Sequence, residues 1–211
     1  YDPEHYDGSL LTTEKNRLWA KPVRDVLVPR FKQEVQRLEE VLERPVKIAL
    51  VLVGDDPASQ SYVHNLRKLV EQCGMHSELF QIERSARQSK LEAVVQDIGT
   101  RDEFFGVIPQ LPLPQGATED PFNEEALRQS VLPEKDIDVI HPESLMLFAY
   151  GKAPLLPATI GGITMALHVY NVPLTEGGKD RNIAILGQGR LGGAPLATLF
   201  QRVYGRSFLS A

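Results

Sequence analysis

Cysteine, tryptophan and long apolar stretches are scarce in this sequence. Of its 211 residues, one is cysteine, Cys73, and one is tryptophan. A single cysteine excludes an internal disulfide framework and suits a reducing compartment. No apolar run approaches the ~20 residues that span a bilayer, so no membrane span is expected. His64 and His76 flank Cys73 at a spacing that fits no standard zinc pattern, and no metal is expected.

The number and distribution of charged residues limit which partners are expected. The net charge of -5 gives no reason to expect a nucleic-acid partner. Residues 181–211 hold four arginines and no acid, which indicates either a solvated basic end or a surface for phosphate or an acidic partner. The first residue is Tyr1 rather than Met, as expected if the natural start was processed, trimmed or left out. The expected compartments are the mitochondrial matrix and the cytoplasm.

Apolar periodicity predicts an α/β fold with a parallel sheet. The run over 46–53 is β-branched and apolar, which is typical of a buried parallel strand. Asp55 or Asp56 is the predicted N-cap of the helix that follows, with Pro57 at its first position and Gly74 beyond its end. Prolines 22 and 29 are expected to break or start helical segments. The predicted elements are helices over 31–42, 57–73, 91–98 and 123–130, strands over 46–53, 78–82 and 104–108, and a polar loop over 132–144.

The second part of the chain begins after a proline-containing stretch over 153–157. We predict an α/β catalytic-type domain over 1–156 and a connecting helix with the start of a Rossmann domain over 157–211. A helix is expected over 160–170 and a strand over 182–186. The strand leads into a G-x-G-x-x-G pattern, in which a nucleotide pyrophosphate and a simple tight turn both explain the glycines. The acidic residue expected ~20 residues later is missing. The candidate cofactor-binding residues are Gly187, Gln188, Gly189, Arg190, Gly192 and Gly193.

Four segments occur together in a fixed order. They are VGDDPASQSYV over 53–63, PQLPLP over 109–114, LPEKDID over 132–138 and LGQGRLGGAPLA over 186–197. Together they resemble the signatures of the bifunctional methylenetetrahydrofolate dehydrogenase/cyclohydrolase family, and the resemblance runs from about residue 7 to about residue 203. It implies a catalytic domain and a Rossmann domain that flank a cleft for folate and for NADP or NAD.

The resemblance also implies three site residues. Tyr62 matches the tyrosine that stacks on folate, Gln110 the glutamine that hydrogen-bonds the catalytic lysine, and Asp138 the aspartate at the polar edge of the pterin. Each has a structural alternative: Tyr62 as an amphipathic core residue, Gln110 as a loop-capping amide, and Asp138 as a turn or cap residue.

The family's catalytic lysine is replaced in this chain. It lies four residues after the tyrosine, where this sequence has Leu66. Four helical steps bring that side chain within ~40° of Tyr62, whereas Arg67 and Lys68 are turned ~140° and ~120° away. Because leucine carries no proton, donor or charge, we expect cyclohydrolase activity to be lost.

Other departures affect the rest of the site. The family's glycine after the aspartate is Val139, its PCTP motif appears as PATI over 157–160, and its Ser or Arg-Ser in the nucleotide loop appears as Gln188-Gly189. One strand and one helix cannot close a Rossmann sheet, so we expect further sequence, or else a protein partner or a local rearrangement that covers the exposed surface.

Two functions remain open at this stage. The first is a degenerate family member kept as a structural or binding subunit of a larger assembly. The second is an active monofunctional NAD(P)-dependent 5,10-methylenetetrahydrofolate dehydrogenase of one-carbon metabolism, since hydride transfer depends mainly on positioning and on the cofactor. A folate is the expected substrate in the second case.

Overall fold

The computed structural model of this chain describes residues 18–114, 121–172, 175–176, 179–180 and 183–204. Within them the predicted α/β fold class with a parallel sheet is confirmed. The helices are α1 (Ala20–Leu42), α2 (Pro57–Gln72), α3 (Gln88–Thr100), α4 (Glu124–Ser130), α5 (Pro142–Ala149), α6 (Ala158–Val169) and α7 (Gly193–Tyr204). The strands are β1 (Lys47–Val53), β2 (His76–Ile82), β3 (Phe104–Pro109), β4 (Thr175–Glu176) and β5 (Lys179–Asp180).

The chain divides into two compact units. One comprises residues 28–144, and the other comprises the described parts of 1–27 and 145–211. The predicted boundary after residue 156 separates a catalytic-type part from a nucleotide-type part, and it stays a prediction. None of the described helices combines the length and the apolar character needed to cross a membrane.

A three-stranded parallel sheet forms the centre of the 28–144 unit. Its strand order is β2-β1-β3, with β1 paired to β2 from Lys47 opposite His76 to Val53 opposite Ile82. As the apolar run predicted, β1 is the central strand and six of its seven residues are buried.

The two faces of the sheet hold two apolar clusters. One face of β1 presents Ala49, Val51 and Val53 to a cluster that includes three buried residues of α3, namely Leu91, Val95 and Ile98. The other face presents Ile48, Leu50 and Leu52 to a cluster that includes Val63 and Val70 of α2. Because successive side chains of a strand point to opposite faces, helices can cover both sides of this sheet.

Helix α2 starts and ends as its local sequence predicts. The Asp56 carboxylate accepts a hydrogen bond from the Ser59 amide at 2.8 Å, and Pro57 stands in the first turn. Gly74 follows the helix at a φ of +85°, a conformation that glycine adopts without steric cost. The start of α2 is therefore fixed relative to the carboxyl end of β1.

The second unit has its own apolar cluster. It comprises Val23, Leu27, Val169 and Tyr170. The Tyr170 hydroxyl accepts a hydrogen bond from the Trp19 amide at 3.1 Å and donates one to the Trp19 carbonyl oxygen at 3.0 Å.

Three sequence predictions about the fold are wrong. Pro29 lies inside α1 and does not break it, because Leu27 before it and Val35 after it are both buried and hold the helix on either side. The predicted polar loop over 132–144 contains a 3-10 turn, Pro133–Lys135, and the first turn of α5. Of the predicted strand over 182–186, Asn182 lies outside the described residues and only Ile185 forms a bridge, since a strand needs a pairing partner along its length.

Candidate active site

All three predicted site residues lie in the 28–144 unit, and two of them follow the carboxyl ends of its strands. Tyr62 belongs to α2, which follows β1, and Gln110 directly follows β3. Asp136 forms a parallel bridge with Val107 of β3, and Asp138 follows two residues later in a turn. The carboxyl ends of parallel strands are the usual place for ligands in α/β folds. That these three residues form one site stays a prediction.

Tyr62 and Leu66 occupy different environments on α2. The Tyr62 side chain is 59% exposed, which rules out its alternative interpretation as a core residue. Leu66 is half-buried and packs against the apolar cluster of Val63, Val70 and the inner face of β1. With spacings of three and four residues, Val63, Leu66 and Val70 form one continuous stripe along the helix. Leu66 is thus a packing residue at the position where the family that this sequence resembles has its lysine.

Gln110 is held by its own loop. Its backbone amide donates to the Val51 carbonyl oxygen at 2.8 Å, which extends the pairing of β3 with β1. Its side-chain amide nitrogen donates to the Leu111 carbonyl oxygen at 2.8 Å. Because residue 66 is not a lysine, the Gln110 side chain forms its hydrogen bond within its own loop. This agrees with the interpretation of Gln110 as a loop-capping amide.

Two residues that support this loop escaped the sequence analysis. The Glu124 carboxylate accepts a hydrogen bond from the Leu113 amide at 3.0 Å, and Arg128 donates to the same carboxylate at 3.1 Å. Arg128 is only 7% exposed. The signal in the sequence is the i,i+4 spacing of glutamate and arginine in α4, which is typical of a helical ion pair. These contacts fasten the PQLPLP segment to α4.

The loop that carries Asp138 contains two carboxylates in different surroundings. Asp136 is 4% exposed, and its oxygens accept hydrogen bonds from the Ile140 amide at 3.1 Å and the His141 amide at 2.8 Å. Asp138 is half-buried, and its pKa is raised above the ordinary value by burial and, to a lesser degree, by the negative charge of Asp136. Asp136 is therefore the residue whose side chain caps the loop, and Asp138 lies in the turn, as the turn part of its structural alternative predicts.

The backbone conformation at Val139 is one that favours glycine. Its φ is +55°, in the left-handed region, and its side chain is 2% exposed. A β-branched residue in this region is a strained outlier, whereas glycine adopts it freely. The departure at Val139 therefore leaves the turn in place and adds strain to it.

The predicted glycine loop lies in the second unit, at the start of α7. Gly187 has a φ of +95°, and a Cβ at Gly193 would lie 1.7 Å from the Gly187 carbonyl oxygen. A Cβ at Gly189 or Gly192 would meet nothing within 4 Å. The close approach that requires glycine is thus at Gly193, one residue after the third glycine of the predicted pattern.

The hydrogen bonds of this loop bear on nucleotide binding. The Gly189 carbonyl oxygen accepts from the amides of Gly192 and Ala194, each at 3.2 Å. A phosphate site at a helix N-terminus needs such amides to point at the ligand. The side chains of Gln188 and Arg190 are exposed. The turn thus has the backbone shape of a nucleotide loop, but two of its amides are bonded within it, so these residues do not fit a bound phosphate as they stand.

Over the described parts of the chain, the structure shows no group of three or more His, Cys, Asp or Glu side chains placed to hold a metal ion.

Comparison with protein families matches residues 18–138 to the catalytic domain of tetrahydrofolate dehydrogenase/cyclohydrolase. The bifunctional protein FolD of Exiguobacterium sibiricum is 32% identical over 171 residues, which are 81% of this chain and 58% of that protein. The chain therefore spans little more than half the length of the relatives that it matches.

Solved structures give the same result for the fold. The bifunctional FolD methylenetetrahydrofolate dehydrogenase/cyclohydrolase of Campylobacter jejuni superposes with a TM-score of 0.80 at 27% identity, covering 92% of this chain and 64% of that one. The dehydrogenase-cyclohydrolase of Trypanosoma brucei, solved with NADP and an inhibitor, has a TM-score of 0.76 at 22% identity, covering 95% of this chain and 63% of that one.

Proposed function

Because this chain belongs to the tetrahydrofolate dehydrogenase/cyclohydrolase family, we propose that it is a degenerate member without cyclohydrolase activity. In this proposal it acts as a binding or structural subunit of a larger assembly. The observation that carries the proposal is Leu66, which is half-buried against apolar side chains one helical turn after Tyr62.

The proton chemistry of cyclohydrolysis has no donor at this position. General acid–base catalysis contributes about 10²–10⁴-fold in rate and needs a group that can carry a proton at the reacting atom. The leucine side chain has no such group, and the Gln110 amide that would contact a lysine donates to Leu111 instead. The site as built can position a ligand but cannot exchange a proton with it at residue 66.

Binding capacity is better preserved than catalysis. The Tyr62 ring is exposed and free to stack on a flat aromatic group. The half-buried Asp138 carboxylate can accept hydrogen bonds from the polar edge of a pterin. These two residues support a reduced folate as the ligand of this unit.

Nicotinamide chemistry receives less support. A nicotinamide cofactor would supply hydride transfer to or from a folate. The loop at the start of α7 holds two of its amides in internal hydrogen bonds, so these amides do not point at a bound nucleotide. This favours the subunit over the enzyme.

The alternative is an active monofunctional NAD(P)-dependent methylenetetrahydrofolate dehydrogenase. The specific observation in its favour is that the Tyr62 ring is exposed and that Asp138 keeps a half-buried carboxylate, two groups suited to holding a folate. Hydride transfer depends on positioning more than on a proton carrier at residue 66.

One set of measurements separates the two functions. The purified chain is titrated calorimetrically with 5-formyltetrahydrofolate, NADP and NAD, and is assayed for hydride transfer from 5,10-methylenetetrahydrofolate. We expect micromolar binding of the folate, weakened by Tyr62→Ala but not by Tyr150→Ala, which truncates another exposed tyrosine. We expect no turnover. Turnover with either cofactor would overturn the subunit proposal and establish the alternative.

A further inference from the structure

The loop over 136–141 is anchored to the sheet at its start. Asp136 forms a parallel bridge with Val107 of β3, and its amide donates to the Pro133 carbonyl oxygen at 3.3 Å. The first residue of the loop is therefore fixed relative to the strand that ends beside Gln110.

The same residue also holds the far end of the loop. One carboxylate oxygen of Asp136 accepts from the Ile140 amide at 3.1 Å and the other from the His141 amide at 2.8 Å. The residue is 4% exposed, and a buried carboxylate is tolerated only where donors compensate for its lost hydration. Both oxygens are thus committed to closing the loop, and neither is directed at a ligand.

Between these anchors the backbone has little freedom. A Cβ at Gly106 would lie 2.5 Å from Cγ2 of Ile137, so the Ile137 side chain rests directly on the backbone of β3. On the other side of Asp138, Val139 is held at a φ of +55° although its side chain disfavours that conformation. Local strain of this kind persists only when the surroundings over-determine the backbone.

We propose that Asp136 is the positioning residue of the folate site: by bonding the Ile140 and His141 amides, its buried carboxylate sets where the Asp138 carboxylate lies. This inference rests on the proposed folate site. Asp136 does not touch the ligand; it acts through the backbone of the loop.

Asp136→Asn tests the proposal with a side chain of the same shape that has one acceptor oxygen instead of two. Glu134→Gln is the matched control, because Glu134 is an exposed acid in the adjacent 3-10 turn. Three quantities are measured in each variant: amide hydrogen exchange at Ile140 and His141, the titration midpoint of Asp138 by carboxylate NMR, and the dissociation constant for 5-formyltetrahydrofolate.

For Asp136→Asn we expect exchange at the two amides to rise by about tenfold or more, since a lost hydrogen bond opens the loop locally. We expect the Asp138 midpoint to fall because the neighbouring charge is gone, and folate affinity to fall by about tenfold. Glu134→Gln should change none of the three. A merely structural role would lower stability without lowering the folate affinity of the folded protein, and that result would overturn the proposal.

Failure of the proposed function gives a different result. If the parent chain binds no folate, the ligand assignment fails, while exchange and titration still decide whether Asp136 holds the loop. Should Asp136→Asn fail to fold, exchange in the parent chain decides: protected Ile140 and His141 amides support the proposal, and amides that exchange as freely as an open loop overturn it.

Discussion

The Gly187 carbonyl oxygen lies so close to the Cα of Gly193 that a Cβ at residue 193 would come within 1.7 Å of it. This contact closes the turn that leads into α7. It also shows that the backbone requires a glycine at residue 193, directly after the pattern, whereas Gly189 and Gly192 have open space where a Cβ would point.

Gly193→Ala should therefore destabilise the chain by about 1–3 kcal/mol or more, since the Cβ must displace backbone atoms rather than a flexible side chain. Gly192→Ala, the neighbouring control, should change stability by about 0.5 kcal/mol or less. Urea unfolding of the two variants measures the difference. Equal effects would show that the close approach to Gly187 is absent.

Val139→Gly and Val139→Ala test the strain in the Asp138 loop. Both substitutions remove a buried side chain, but only glycine relieves the left-handed backbone at φ +55°. At an ordinary position glycine is less stable than alanine by roughly 0.5–1 kcal/mol. Here we expect the glycine variant to be the more stable of the two by about 1 kcal/mol, from the cost of the left-handed conformation. The free energies of unfolding decide, and the ordinary order would contradict the account.

Asp138→Asn tests the electrostatics of the same loop. Burial, and then the charge of Asp136, raises the pKa of Asp138 above its ordinary value of 3.8. The folded state therefore binds this proton more tightly than the unfolded state, and the contribution of Asp138 to stability falls as pH rises from about 3.8 through the raised pKa. The asparagine variant should gain stability relative to the parent chain over that window and keep the gain at neutral pH.

The measurement is the difference in free energy of unfolding between the two chains, followed from pH 3 to pH 7 by urea titration. A difference that does not change with pH would mean that the Asp138 carboxylate is as well solvated in the folded chain as in the unfolded one.

Leu66→Lys tests whether the leucine is a packing residue. The substitution replaces half-buried apolar surface beside Val63 and Val70 with an ammonium group, and we expect a loss of about 1 kcal/mol at neutral pH. Leu66→Met keeps the volume and apolar character, so it should cost less. Thermal unfolding of both variants measures the order. A lysine variant as stable as the parent chain would show that residue 66 faces solvent.

The sequence predicts well those features that short-range chemistry determines. The buried strand over 46–53, the Asp56 cap and the Gly74 terminus all depend on neighbouring residues, and the structure confirms each. The presence of Pro29 within α1 depends instead on apolar contacts on both sides of the proline, which local propensity does not contain.

In the candidate site, too, the sequence predicts some features, whereas others depend on contacts that form only in the folded chain. Segment order pointed to Tyr62, Gln110 and Asp138; Tyr62 and Gln110 follow strands of the sheet, and the shared site stays a prediction. The loop-closing role of Asp136 and the close contact at Gly193 depend on backbone atoms that meet only in the folded chain. No spacing in the sequence distinguishes Asp136 from Asp138 as the buried acid.

The central claim is that an aliphatic residue at position 66 leaves the site without its proton carrier. The most direct test is the rate at which the purified chain hydrolyses 5,10-methenyltetrahydrofolate, compared with buffer alone and with the bifunctional protein FolD of Exiguobacterium sibiricum assayed in parallel. The account predicts a rate equal to that in buffer, although the chain binds the folate. Hydrolysis at a rate comparable to that of the FolD enzyme would contradict it.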